Sequence, residues 1–257
     1  MTIRKRLLEN LERVTEAAVT QTFDRLLKKH PDEGVFWNNL FADKMRVFDE
    51  TGKTDWDSPS SRSYYELLLE DFTRLSGTPS SALEMGCGTA VLSILLAAQG
   101  ADATIVDRSA AALDYAKVLE QRLRREFTFV GTVSYVRADF LELDRTFCCE
   151  LVHNCGVIEE IPIDSASEVV AAMAQHAERR VVVGVPNFFN PYLLGIWGRG
   201  GKGTERYYSA RTLRRVLRAA GLRGARVSNS SCIHPLLPRT MNRGLGLGFL
   251  HLGVADV

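Results

Sequence analysis

The chain has 257 residues, of which 46% are hydrophobic and 25% charged, with a formal net charge of +1. These proportions suit one large globular core with room for an added cap, and exclude the disordered, collagen-like and coiled-coil classes. A charge so near zero gives no general attraction to nucleic acid or acidic membranes, and Cys87, Cys148, Cys149, Cys155 and Cys232 form no C-x-x-C pair or zinc-ligand spacing, so reduced thiols and no metal site are expected.

The opening MTIRKR leads into Leu7-Leu8 and then Glu9-Asn10, too short an apolar run for a signal peptide or membrane span, so a cytoplasmic location is expected. Apolar residues at Ile3, Leu7, Leu8, Leu11, Val14, Ala18, Phe23 and Leu27 predict a half-buried helix that Pro31 and Gly34 end. Val35 to Phe48 carries an aromatic stripe at helical spacing, whose simplest use is core packing. Glu50 to Ser61 reads as a loop, and Ser63-Tyr-Tyr-Glu66 has the form of a capping box opening a helix through about Leu75. Residues 1–75 are therefore expected to be a helical cap, and residues 76–257 the main domain.

After Gly77-Thr-Pro-Ser-Ser the pattern changes to short apolar runs alternating with helical segments, the signature of βαβ units. Strands are predicted near 81–85, 102–106, 133–137, 149–154 and 180–185, and helices at about 89–99, 109–126, 165–178 and 209–220. Ser165-Ala-Ser-Glu168 reads as a second capping box. Ala225 to Asn229 and Gly246 to Val254 read as strands with no helix between them, closing the sheet with an antiparallel pair. The fold expected is a doubly wound, mostly parallel, seven-stranded α/β sheet.

The strongest chemical signal is Ala82-Leu-Glu-Met-Gly-Cys-Gly-Thr-Ala90, a strand running through Gly86 and Gly88 directly into an apolar helix. Glycine lets a ligand approach the backbone, and the sharp turn sets it across the carboxyl end of the strand. Asp107 ends the next strand, where a carboxylate can accept both hydroxyls of a ribose. NAD and S-adenosylmethionine both fit this much, although the third glycine of a dinucleotide motif is replaced by Val91. The third strand ends in Arg137-Ala-Asp139-Phe140, an acid for an exocyclic amine beside an aromatic face for a purine.

Together these segments resemble the class I S-adenosylmethionine-dependent methyltransferases over roughly residues 64 to 224. Glu84-Met-Gly-Cys-Gly-Thr89 is similar to the family's first motif, Asp107 to its ribose-binding acid and Asp139-Phe140 to its adenine-contacting pair. Leu151 to Ile161, Val183-Gly-Val-Pro-Asn187 and Gly203-Thr-Glu-Arg-Tyr-Tyr-Ser209 are similar to later segments. The resemblance implies S-adenosylmethionine as cofactor, held by Glu84, Gly86, Cys87, Gly88, Asp107, Arg108, Asp139, Phe140, Asn154, Cys155 and Gly156, with the 154–156 turn near the sulfonium.

Many small-molecule members carry Glu-His after the fourth strand, whereas this chain has Glu159-Glu160, so no general base carries over. His153, on the fourth strand, is the first candidate for catalysis because imidazole titrates near neutrality, and His234 the second. Methyl transfer can also proceed by positioning and exclusion of water. The expected acceptor walls are Phe36 and Trp37 from the cap, with Tyr64 and Tyr65 on its inner face, and Phe188, Tyr192, Trp197, Tyr207 and Tyr208 from later segments. Aromatic walls favour a small aromatic or apolar acceptor, methylated on oxygen or nitrogen without a metal. The alternatives are a binding protein that keeps the cofactor without turnover, or a nucleic-acid or protein methyltransferase. Arg211, Arg214, Arg215 and Arg218 share one helix face that reads as solvated surface, and the 195–203 glycines as a mobile lid.

Overall fold

The computed structural model describes residues 33–197, 205–242 and 247–257. The first predicted helix and most of the glycine-rich 195–203 segment lie outside these residues. Helix α1, Glu33–Thr51, contains Gly34 near its start, so this glycine does not terminate a helix. One 3-10 turn, Asp55–Asp57, follows, and Thr54 with Asp57 forms the capping box there. Helix α2, Pro59–Ser76, starts with Pro59 at a first-turn position, where a missing N–H costs nothing. It therefore begins before Ser63, and Ser63–Glu66 is helix interior rather than a cap.

Strand β1 (Ser81–Met85), helix α3 (Val91–Ala98), β2 (Asp102–Asp107), α4 (Ala110–Leu123), β3 (Val133–Arg137) and β4 (Cys149–Cys155) follow the expected alternation. Helix α5, Ile163–Ala174, opens after Pro162, placing Ser165 and Glu168 inside its first turns rather than in a cap. Strand β5, Ala177–Pro186, takes residues that sequence periodicity assigned to the end of that helix. Helices α6 (Pro191–Trp197) and α7 (Ala210–Ala219), strand β6 (Arg223–Asn229), the short helix α8 (Arg239–Asn242) and strand β7 (Leu250–Asp256) complete the described chain. The four-residue α8 stands where no helix was expected.

The seven strands are ordered β3-β2-β1-β4-β5-β7-β6, with β7 antiparallel to both neighbours. Chain order reverses between β1 and β4, so the crevice at their carboxyl ends is where a doubly wound sheet takes its ligand. Paired residues Ala82 with Leu151 and Glu84 with His153 share one face, while Leu83 and Val152 share the other. On the first face Ala82 and Leu151 pack with Leu92, Leu96, Leu68 and Phe72, so α2 shares a core with the sheet. On the second face Leu83 and Val152 pack with Val170, Met173, Leu213 and Leu217 of α5 and α7. Helix α1 lies on α4, with Phe41 6.1 Å from the Tyr115 ring. No helix among the described residues is long and apolar enough to cross a membrane.

Candidate active site

The turn from β1 to α3 is built from backbone that side chains would obstruct. Gly86 has φ of +80° and Gly88 of +51°, in the left-handed region glycine tolerates. A Cβ on Gly86 would also stand 2.7 Å from Val157 Cγ2. Ala90 closes the turn at φ 55° and its N–H donates to the Cys87 carbonyl at 2.7 Å. Asp107, at the end of β2, accepts the Cys87 N–H at 3.0 Å and the Ser109 N–H at 2.8 Å, one with each carboxylate oxygen. Each oxygen keeps a further lone pair for a ligand.

These groups open onto a cavity of about 1180 Å³. Its lining includes Glu84, Gly86, Cys87, Gly88, Asp107, Arg108, Asp139, Phe140, Cys155 and Gly156, every residue the resemblance assigned to the cofactor except Asn154. Asn154 follows His153 on the opposite face of β4, buried, with its amide donating to Met173 Sδ at 3.1 Å. It does not reach the cavity.

Helices α1 and α2 cover the glycine turn. The Tyr65 hydroxyl is 2.6 Å from Thr89 Oγ1, and Ser109 Oγ donates to Asn38 Oδ1 at 2.6 Å. Lys44 pairs with Asp55 at 2.6 Å, and the Asp55 N–H donates to the Tyr115 hydroxyl of α4 at 2.9 Å. Trp37, Phe41, Lys44, Tyr64 and Tyr65 line the cavity from this side.

A family profile described as a methyltransferase domain matches residues 60–227 of the chain. The fold is similar to that of magnesium protoporphyrin IX methyltransferase from Synechocystis PCC 6803 with bound SAH, at 19% identity and a TM-score of 0.59, covering 88% of this chain and 99% of that one. It is also similar to a putative O-methyltransferase from Nostoc punctiforme PCC 73102, at 13% identity and a TM-score of 0.55, covering 86% and 69%. An S-adenosylmethionine-dependent methyltransferase from Clostridium acetobutylicum ATCC 824 aligns at 11% identity with a TM-score of 0.55, covering 85% and 99%. No curated protein sequence matches the chain. The chain belongs to the class I S-adenosylmethionine-dependent methyltransferases.

The methyltransferase cavity is lined by the strand-end acids Glu84, Asp107 and Asp139. Glu84 is buried among the lining residues, and its Oε2 has no hydrogen-bond partner among the described residues. Burial pushes the Glu84 carboxyl up to about 8; a hydrogen bond from Ser93 works against the rise and the charge of Asp107 adds to it. Tyr65, Cys87 and Cys155 also face it, and their own acidities are lowered first by burial and in part by Glu84.

His153 does not stand in the methyltransferase cavity. Alternation along β4 turns it onto the same face as Glu84 and Leu151, beneath α3, where it is fully buried. Its Nε2 is 3.0 Å from Ser93 Oγ, its ring lies 5.4 Å from Phe72, and burial pushes its pKa down to about 3. A weak base out of reach of the acceptor is no general base, and the catalytic expectation for His153 is corrected accordingly. His234 packs edge-on against Tyr192 at 4.6 Å and accepts the Leu236 N–H through Nδ1 at 3.1 Å, so it stands behind the wall that Tyr192 and Pro235 present.

Of the expected acceptor walls, Trp37 and Tyr192 line the cavity. Phe36 is held off it, edge-on to Trp37 at 5.3 Å. Phe188, Tyr207 and Tyr208 are buried as core: Phe188 packs on Tyr207 at 5.6 Å and Tyr208 donates to the Ile158 carbonyl at 3.2 Å. The Trp197 side chain lies outside the described residues. Phe249, which the sequence reading missed, joins the wall with its ring 5.1 Å from Tyr64. A signal existed, because an antiparallel last strand enters the sheet at the carboxyl edge, bringing the residues just before β7 to the ligand side. Glu159 and Glu160, also buried, line the cavity where the Glu-His pair was absent.

Proposed function

We propose that the protein transfers a methyl group to a small aromatic or apolar molecule that enters beside its cofactor. The observation that carries this is the cavity, whose volume of about 1180 Å³ exceeds the roughly 300–1,000 Å³ of a site for one ligand. One part is the glycine turn with its strand-end acids; the other is walled by Tyr64, Tyr192 and Phe249. In this reading Asp107 holds the ribose hydroxyls, Asp139 and Phe140 the adenine, and Glu84 the α-ammonium. When bound, the cofactor supplies an electrophilic methyl group.

The remaining work belongs to positioning. Tyr64, Tyr192 and Phe249 orient a planar acceptor, while α1 and α2 exclude water from the reacting atoms. The residue 33–76 helices thus act as a cap on the main domain. Glu159 and Glu160 offer carboxylates to an acceptor with a hydroxyl or amine hydrogen to donate, which favours oxygen or nitrogen as the methylated atom. All five cysteines are free, in keeping with a reducing, cytoplasmic setting.

The test is to incubate the protein with labelled S-adenosylmethionine and a panel of planar phenols and aromatic amines, measuring release of S-adenosylhomocysteine. Turnover of a small acceptor is expected, with Tyr192→Ala raising KM for that acceptor while leaving KM for the cofactor unchanged. Turnover of nucleic acid or protein alone would overturn the proposal.

A further inference from the structure

Tyr192, Pro235 and Phe249 stand on three stretches of chain, residues 187–193, 230–238 and 247–249, that lie largely outside strands and helices. Backbone groups in such stretches have no ladder to pair with, so side chains must serve them. Asn190 does this for all three at once. It is wholly buried, and its Nδ2 donates to the Ile233 and Leu247 carbonyls at 2.8 Å each while its Oδ1 accepts the Leu193 N–H at 3.0 Å. Both amide hydrogens and the oxygen are therefore in use. Each residue tied by the bridge stands two positions before a cavity residue: Asn190 before Tyr192, Ile233 before Pro235 and Leu247 before Phe249. Around this hub Asn187 Nδ2 donates to the Gly248 carbonyl at 2.9 Å, and Asn242 Oδ1 accepts the N–H groups of Ile233 and His234 at 2.8 and 3.0 Å. A Cβ on Gly248 would stand 1.5 Å from the Ser230 carbonyl oxygen, so two of the stretches also meet backbone to backbone.

We infer that Asn190 is a positioning residue for the acceptor, whose amide sets the spacing of Tyr192, Pro235 and Phe249 and so decides which planar molecules fit beside the cofactor. The inference rests on the proposed acceptor wall. Apolar packing is non-directional and leaves such stretches free to slide past one another, whereas two hydrogen bonds from one planar amide fix their relative place. The place so fixed holds the Tyr192 and Phe249 rings 6.1 Å apart at 44°. Asn190 is not among the residues lining the cavity, so it acts through these rings and does not touch the acceptor. In the proposed reading none of its partners, Leu193, Ile233 and Leu247, holds the cofactor, so cofactor affinity should not depend on it.

The test is the calorimetric affinity of the full chain for S-adenosylhomocysteine and, with that ligand bound, for the planar phenol 2-naphthol. Asn190→Ser keeps an oxygen able to cap α6 but is too short to bridge the other two stretches. It should weaken 2-naphthol roughly tenfold to 100-fold, the effect of binding groups displaced by about an ångström, and leave S-adenosylhomocysteine within about twofold. Because Asn190 acts through the wall, the same substitution should cost clearly less in a Tyr192→Ala protein. Unchanged 2-naphthol affinity, equal losses for both ligands, or a fully additive double variant would overturn the inference. Should Asn190→Ser fail to fold, nitrogen NMR of the wild type decides. The Asn190 side-chain amide resonances are expected to move with 2-naphthol and to stay in place with S-adenosylhomocysteine, and any other pattern contradicts the inference. A wild type that binds S-adenosylhomocysteine and no 2-naphthol would overturn the acceptor wall and the inference with it, an outcome distinct from 2-naphthol binding that ignores Asn190.

Discussion

In the proposed reading Asp107 serves the fold and the ligand with one carboxylate. Its oxygens already bind the Cys87 and Ser109 N–H groups, which fixes the glycine turn before a ribose arrives. Asp107→Ala is therefore expected to weaken S-adenosylhomocysteine binding by about 2–4 kcal/mol, and Asp107→Asn by less because one acceptor oxygen survives. Calorimetric dissociation constants check both, and an unchanged value for Asp107→Ala would move the ribose elsewhere. Gly86→Ala should lower stability by about 1–3 kcal/mol in urea unfolding, since its Cβ meets Val157 at 2.7 Å in a left-handed backbone. The turn and its acid were readable in the sequence because glycine and Asp107 occupy positions where backbone geometry leaves few choices. The facing of His153 was not. Strand β4 is buried on both sides, so apolar residues flank His153 and Asn154 alike and no polar alternation shows that both turn away from the cavity.

The elements show the same division. Strands β1 and β3 fall on their predicted ends because turn residues bound them, whereas β5 begins at Ala177 in a stretch, Ala-Glu-Arg-Arg, that favours helix by composition. Aromatic residues of the later segments were assigned to the acceptor wall, yet Phe188, Tyr207 and Tyr208 fill the core, because an aromatic ring packs equally well in either place until neighbours are known. The connection between α1 and α2 was read as a plain loop and is instead a fixed strap. Trp56 is fully buried, donates through Nε1 to Glu126 at 2.9 Å and carries Arg62 at 5.0 Å from its ring. Trp56→Ala should cost about 3–5 kcal/mol of stability in urea unfolding. Tyr65→Phe, which removes only the contact to Thr89, should cost about 0.5–1.5 kcal/mol. A Trp56→Ala protein as stable as wild type would show that the strap contributes nothing to the fold.

At the scale of the whole molecule, three buried groups among the described residues shape the dependence on pH between about 4.5 and 8. His153 and His251 have folded values of about 3 and about 4, below the usual 6.5, so the unfolded chain binds more protons beneath pH 6.5 and stability rises toward that pH. Glu84 has a folded value of about 8 against the usual 4.5, so the folded chain binds more protons between these limits and stability falls as pH rises through them. Two rising contributions and one falling place the highest melting temperature of the ligand-free protein near pH 6.5. Glu84→Gln should flatten the decline from there to pH 8, and an unchanged decline would assign it to other groups. Binding a cation beside Glu84 favours its charged form, so ligand binding at pH 7 should release a proton, seen as a dependence of the binding heat on buffer ionisation.

The glycine turn, the strand-end acids and the buried Glu84 all line one cavity, which we propose takes an adenosyl ligand, and titration calorimetry with S-adenosylhomocysteine and with NAD examines this most directly. One site for S-adenosylhomocysteine, with no heat from NAD, is the predicted result. Binding of NAD with no binding of S-adenosylhomocysteine would contradict it.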